Sequence, residues 1–162
     1  MAKTIKIELS DSSISNAIKE VKEYKNWVIR KEAELRQKLA DVGADVARIE
    51  FAGAKYDGAN DVSVRIDNTG SVAVIYADGS AVAFIEFGAG AKMGYGHPLA
   101  GQFGMGPGTY PEGKGHWDDP NGWYYAHGKK SYGNPPAMAM YHAVQRMTEQ
   151  FTTIAKEVFG TA

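Results

Sequence analysis

The chain has 162 residues, 44% hydrophobic and 23% charged, with a formal net charge of −1. That is enough for one domain with a real core, and the balanced charge argues against a dedicated nucleic-acid binder, which carries a strong basic excess. No cysteine is present, so disulfides, thiolate metal sites and a cysteine nucleophile are excluded.

The N-terminus, Met1 to Leu9, alternates charged and apolar residues. It lacks the continuous apolar run of a signal peptide, and no window approaches the roughly 20 apolar residues of a membrane span. The reading is a chain made and folded in a cytoplasm, with no membrane partner. Ile5, Ile7 and Leu9 at period two predict a short strand with one buried face. Asp11, Ser12 and Ser13 are N-cap candidates for the helix that follows.

That helix is the clearest element. Ile14, Val21, Val28, Leu35, Val42 and Ile49 recur every seven residues, and Ile18, Leu39 and Val46 fill an intermediate seam. Lys25 and Glu32 interrupt it. The repeat lays these side chains along one stripe. Glu32 with Arg36 and Glu34 with Lys38 stand at i,i+4 spacing on the solvated faces. The helix is predicted to continue through Gly43 to about Ala52. It overhangs a small sheet, so its seam calls for the C-terminal helix, a neighbouring subunit, or both.

Phe51 to Asn60 reads as a loop. Val62, Val64 and Ile66 alternate with polar residues and predict a half-buried strand. Asp67 to Gly70 is a turn. Val72, Val74 and Tyr76 alternate with Ala73, Ile75 and Ala77 and predict a strand buried on both faces. Asp78-Gly79 is a type I′ hairpin signal. Ala81 to Phe87 is apolar on both faces, and periodicity leaves a third strand and a short helix both open.

Residues 88–134 are rich in glycine and aromatics and carry no lasting period. A structureless loop of that length inside a compact domain is usually functional or disordered. Disordered segments are poor in aromatics, so this one is expected to become ordered, at least against a partner. Pro135 and Pro136 then force an extended entry to a helix from about Met138 to Phe159. Its expected apolar stripe is Met140, Val144, Met147, Phe151, Ile154 and Val158. With no βαβ alternation, the fold class is α+β: a long N-terminal helix and a C-terminal helix on a small, mainly antiparallel sheet, in one domain spanning 1–162.

The glycine runs have neither the strand before nor the helix after that a phosphate loop needs. His97, His116, His127 and His142 match no zinc spacing, so no metal or cofactor is expected. Asp118 and Asp119 read as turn residues around Asp119 to Gly122. Glu112, Asp118 and Asp119 beside Trp117 and Trp123 form the pattern of a sugar site, with carboxylates for a glycosidic bond and indoles for the ring. All three acids lie in one loop, which is hard to preorganise. Tyr110, Trp117, Trp123, Tyr124 and Tyr125 fit an interface better, because their rings combine apolar area with a polar tip.

Several segments together resemble the neck, or tail-completion, proteins of long-tailed bacteriophages. They are Phe84-Ile85-Glu86-Phe87-Gly88-Ala89-Gly90, Gly106-Pro107-Gly108-Thr109-Tyr110-Pro111, Trp117, Asn121-Gly122-Trp123-Tyr124-Tyr125, and Gly133-Asn134-Pro135-Pro136 with Ala137 to Tyr141. The most specific parts are the Glu-Phe-Gly segment and the Gly-Asn-Pro-Pro entry to the last helix. The resemblance implies a virion structural protein with no catalytic residue, and not an enzyme. It implies a homo-oligomeric ring, commonly of six, where the head connector meets the tail tube or its terminator, with DNA only as passing cargo. It also implies that Glu86, Phe87, Gly88, Asn134, Pro135 and Pro136 determine the fold. The competing classes are a cell-wall sugar-binding or glycosidase accessory using the Trp-rich loop, and a free-standing cytoplasmic interaction protein.

Overall fold

The computed structural model describes residues 5–6, 8, 10–54, 60–90, 92–105, 119–124 and 128–160, with Trp123 described by its backbone alone. The elements are α1 (Asp11–Gly53), β1 (Ser63–Asp67), β2 (Val74–Asp78), α2 (Val82–Phe87), a 3-10 turn (Ala100–Phe103), β3 (Trp123–Tyr124), β4 (Lys130–Ser131) and α3 (Ala139–Gly160). β1 and β2 pair antiparallel, from Ser63 opposite Asp78 to Asp67 opposite Val74. The fold is α+β, two long helices beside a small antiparallel sheet.

The N-terminal strand expected from Ile5, Ile7 and Leu9 is not formed in its described part. Ile5, Lys6 and Glu8 belong to no regular element, and Ile7 and Leu9 lie outside the described residues. The cap of α1 is Ser10, one residue earlier than expected. Its backbone is extended (φ −134°, ψ 148°), as an N-cap requires, and its side chain accepts the Ser13 N–H. Asp11 is already helical, where its charge favours the first turn.

The 43 residues of α1 span about 65 Å. α3 runs antiparallel to it: Lys38 pairs with Glu157, Trp27 meets Phe159 edge-on at 5.9 Å, and Glu50 lies 3.4 Å from His142. Lys38 therefore reaches across to α3, and Glu34 takes Lys31 instead, at 2.9 Å. The expected Glu32–Arg36 pair does form.

The buried face of α1 is not the seven-residue apolar seam. Over the length that α3 and the sheet cover, it is Ala40, Gly43, Ala44, Ala47 and Phe51, while Ile49 of the seam is 72% exposed. Small residues win because the two helices and β2 approach closely. A Cβ on Gly43 would stand 2.7 Å from both Ile75 Cδ1 and Met147 Sδ, well inside van der Waals contact. α3 repeats the pattern. It buries Ala139, Ala143, Ile154 and Val158, and leaves Val144 and Phe151 of the expected stripe exposed. The central cluster is Ala47, Phe51, Ala81, Ile85, Ala139 and Ala143.

β2 is not buried on both faces. Val74, Tyr76 and Asp78 are exposed and only Ile75 and Ala77 are half-buried. The hairpin tip is instead held to α1 by Arg36, which donates to the carbonyls of Ser71 (2.9 Å) and Gly70 (3.1 Å) and to Asn68 Oδ1 (3.2 Å). Asp78-Gly79 does not turn a hairpin. The chain enters α2, so the open choice at Ala81 to Phe87 resolves as a helix. Asp61 directs this turn, accepting from the Ser80 hydroxyl and the Ser80 N–H at 2.7 Å each, and from the Ala81 N–H at 3.4 Å.

Those bonds, led by the Ser80 hydroxyl, hold the Asp61 carboxyl below the usual aspartate range. A carboxylate with a lower pKa folded than unfolded stabilises fully above the unfolded value, and the gain is lost as pH falls through the folded value. Asp61→Asn is therefore expected to melt below wild type at neutral pH. The two curves should converge in acid, below the ordinary aspartate range of about pH 4. A Tm series against pH checks this, and a gap that persists in acid would show that Asp61 acts by other means.

Candidate functional site

The two segments farthest apart in the glycine-rich region meet on α2. Ala89 and Asn134 form an antiparallel bridge, with N–H to carbonyl distances of 2.9 and 3.0 Å. Asn134 Nδ2 donates to the Phe84 carbonyl at 2.9 Å. The Ala137 N–H donates to the Ile85 carbonyl (2.8 Å) and the Met138 N–H to the Glu86 carbonyl (3.2 Å). Pro135 and Pro136, which cannot donate, occupy the crossing between these bonds. The Glu-Phe-Gly and Gly-Asn-Pro-Pro segments thus form one backbone clasp. Met138, with φ 57°, makes the sharp turn into α3.

Glu86 closes the clasp from inside. Its side chain is buried, and it accepts from the first N–H groups of α3: Met140 at 2.9 Å to Oε2 and Tyr141 at 3.1 Å to Oε1. A helix N-terminus leaves these donors unsatisfied and favours negative charge. His97, also buried, lies 3.2 Å from Glu86 Oε1 through Nε2, and its Nδ1 accepts the Leu99 N–H at 3.1 Å. With Nδ1 accepting, Nε2 carries the proton and donates to the carboxylate. The Phe87 ring packs on His97 (centroids 4.4 Å apart) and on Phe103 (5.6 Å). Residues 97–103 are thereby anchored to the start of α3.

Beside the clasp lies a hollow of about 470 Å³, walled by Phe87, Leu99, Phe103, Tyr141 and Val144. Its lining is apolar except where Glu86 and His97 close one side. Both have hydrogen-bond partners inside the clasp. The hollow can seat an apolar group.

Of the aromatic residues expected at an interface, Tyr110, Trp117 and Tyr125 lie outside the described residues, as do Glu112 and Asp118 of the sugar-site pattern. Trp123 and Tyr124 form β3, paired with β4, and Tyr124 is 68% exposed. Lys130 lies over Tyr124 (5.7 Å) and Tyr132 (5.2 Å), and Lys92 over Tyr132 (5.1 Å), within cation–π range. Asp119 supports its turn as expected, its side chain accepting the Asn121 N–H at 2.8 Å. Sequence reasoning missed the pairing of Glu86 with His97. The only available signal was an acid inside an apolar run, where a buried charge needs partners.

Among the described residues no three His, Asp or Glu side chains converge to hold a metal, and no helix is long and apolar enough to cross a membrane. Comparison of the chain with family models, with curated proteins and with solved structures gives no match.

Proposed function

We propose that this protein is a structural subunit of a tailed-phage virion, acting without catalysis as a ring at the junction of head connector and tail. The observation that carries the reading is the clasp. The resemblance to neck and tail-completion proteins rests most specifically on Glu86-Phe87-Gly88 and Gly133-Asn134-Pro135-Pro136, and the longer stretches that contain them, 84–90 and 133–141, bond to each other. Two further features support it. The balanced charge suits a wall that DNA passes without tight binding. The large apolar side chains left exposed on α1, α3 and the hairpin suit a chain that functions in an assembly.

The test is electron microscopy of a lysate in which this gene alone is inactivated. Filled heads and finished tails that stay separate are the expected result. Normal joined virions would overturn the proposal.

A further inference from the structure

The sheet has two edges, and they differ. On β1 the Val64 carbonyl accepts from Arg48 Nε at 3.4 Å, so α1 meets that edge. The same bond fixes which groups of β2 point outward. Val64 lies opposite Ala77, and opposite residues of an antiparallel pair either exchange both bonds or turn both sets outward. The Val64 carbonyl is turned away from β2. The N–H and carbonyl of Ala77, and of Ile75 two residues earlier, are therefore turned away from β1. Among the described residues nothing bonds to them.

This edge lacks the usual guards of an exposed strand. Val-Ile-Tyr-Ala-Asp contains no lysine or proline, and its register with β1 runs without a bulge. Such an edge is a template for a further strand. Beside it the surface is apolar: a hollow of about 330 Å³ borders Val74 and Ile75, and the hollow beside the clasp borders Ala77.

The chain also carries a strand pattern that its own copy does not use. Ile5, Ile7 and Leu9 alternate with Lys6 and Glu8, yet Ile5, Lys6 and Glu8 belong to no regular element. The pattern has the length of β2, five residues. Its one apolar face suits the hollows and leaves Lys6 and Glu8 to solvent. Strand addition takes affinity from main-chain bonds and specificity from pockets for alternate side chains, so short segments bind by it.

The segment does not reach the edge of its own copy. Gly43 stands beside Ile75, and α1 spans about 48 Å from Asp11 to Gly43. Ile7 is three residues before Ser10, about 10 Å of extended chain. The strand and the edge that fits it therefore belong to different molecules. Every copy carries one of each, so exchange between copies leaves neither vacant.

We propose that residues 5–9 of one copy add to the outer edge of β2 in the next copy as a third strand. The contact is heterologous, and such contacts generate rings when the rotation closes. The inference rests on the ring reading for closure alone; the strand exchange is testable in the purified chain.

The cysteine-free chain allows a direct test. Lys6→Cys and Tyr76→Cys, both at exposed sites, are made separately, mixed and treated with a thiol cross-linker spanning about 8 Å, the distance of diagonal cross-strand neighbours. The expected product joins position 6 of one copy to position 76 of another. In sedimentation the unmodified chain should associate with concentration. Ile5→Asp/Ile7→Asp should weaken this roughly a hundredfold or more, with far-UV dichroism showing the helices intact. Lys6→Ala/Glu8→Ala, on the solvent side of the added strand, should associate as wild type does. A chain that stays monomeric into the high micromolar range overturns the contact. So does an oligomer without the 6-to-76 product, or equal weakening by both double variants. None of these results touches the neck reading, which the lysate experiment decides separately.

Discussion

Gly133→Ala is expected to produce the largest loss of stability of any glycine-to-alanine change among the described residues. Gly133 has φ 106°, and a Cβ there would stand 1.9 Å from the Ala89 carbonyl oxygen and 2.7 Å from its carbon. Neither atom belongs to a flexible side chain, so the bridge itself must open. Across the bridge, Gly90 (φ 88°) would bring a Cβ to 2.4 Å from the Tyr132 carbonyl oxygen. The clasp is therefore backbone against backbone on both strands. Left-handed strain of about 1–3 kcal/mol and overpacking of similar size sum to roughly 2–6 kcal/mol. For a chain of this size that lowers Tm by roughly 4–24 °C. Gly53→Ala is the control: nothing lies within 4 Å of its Cβ position, and alanine is the better helix residue. Calorimetry of the two variants checks the contrast. Equal melting would mean that the bridge contributes nothing to the cooperative unit.

The second large effect belongs to Glu86. Removing its carboxylate leaves the Met140 and Tyr141 N–H groups and His97 Nε2 without their acceptor, in a site where Glu86 is 5% and His97 8% exposed. Bonds to a charged acceptor contribute about 1.5–3 kcal/mol each, and orphaned buried donors cost more than bonds exchanged with water. Glu86→Ala is expected to destabilise by roughly 3 kcal/mol or more, because each of the three orphaned buried donors costs about 1–3 kcal/mol. Glu86→Gln keeps the volume and one acceptor, and should lose less. Hydrogen exchange locates the damage. The Met140 and Tyr141 amides should exchange fastest, ahead of Phe51 and Ala47 in the helix-packed core. Uniform loss across α1 and α3 would show instead that the clasp and the core unfold together.

These two residues also mark the limit of what was legible in the sequence. The seven-residue apolar repeat and the Ser-rich start located α1 to within a residue or two, because helix period and capping are local properties. Gly160 and the two prolines bounded α3 for the same reason. Alternation and the Asp67 to Gly70 turn located the β1–β2 hairpin, and the absence of βαβ units set the class as α+β. Glu86-Phe87-Gly88 and Gly133 to Pro136 stood out as segments, but not as partners.

Only the tertiary structure decided which faces are buried. Periodicity weights large apolar side chains, whereas a close helix crossing selects small ones. The covered face of α1 therefore runs through Ala40, Gly43, Ala44 and Ala47, and Val144 and Phe151 of α3 are left outside. Residues 82–87 form a helix whose entry is held by Asp61, about twenty positions earlier, through the Ser80 and Ala81 N–H groups. Glu86 found its partners at positions 97, 140 and 141. No local pattern encodes a bond between residues more than fifty positions apart; it exists only once α2 and α3 have packed.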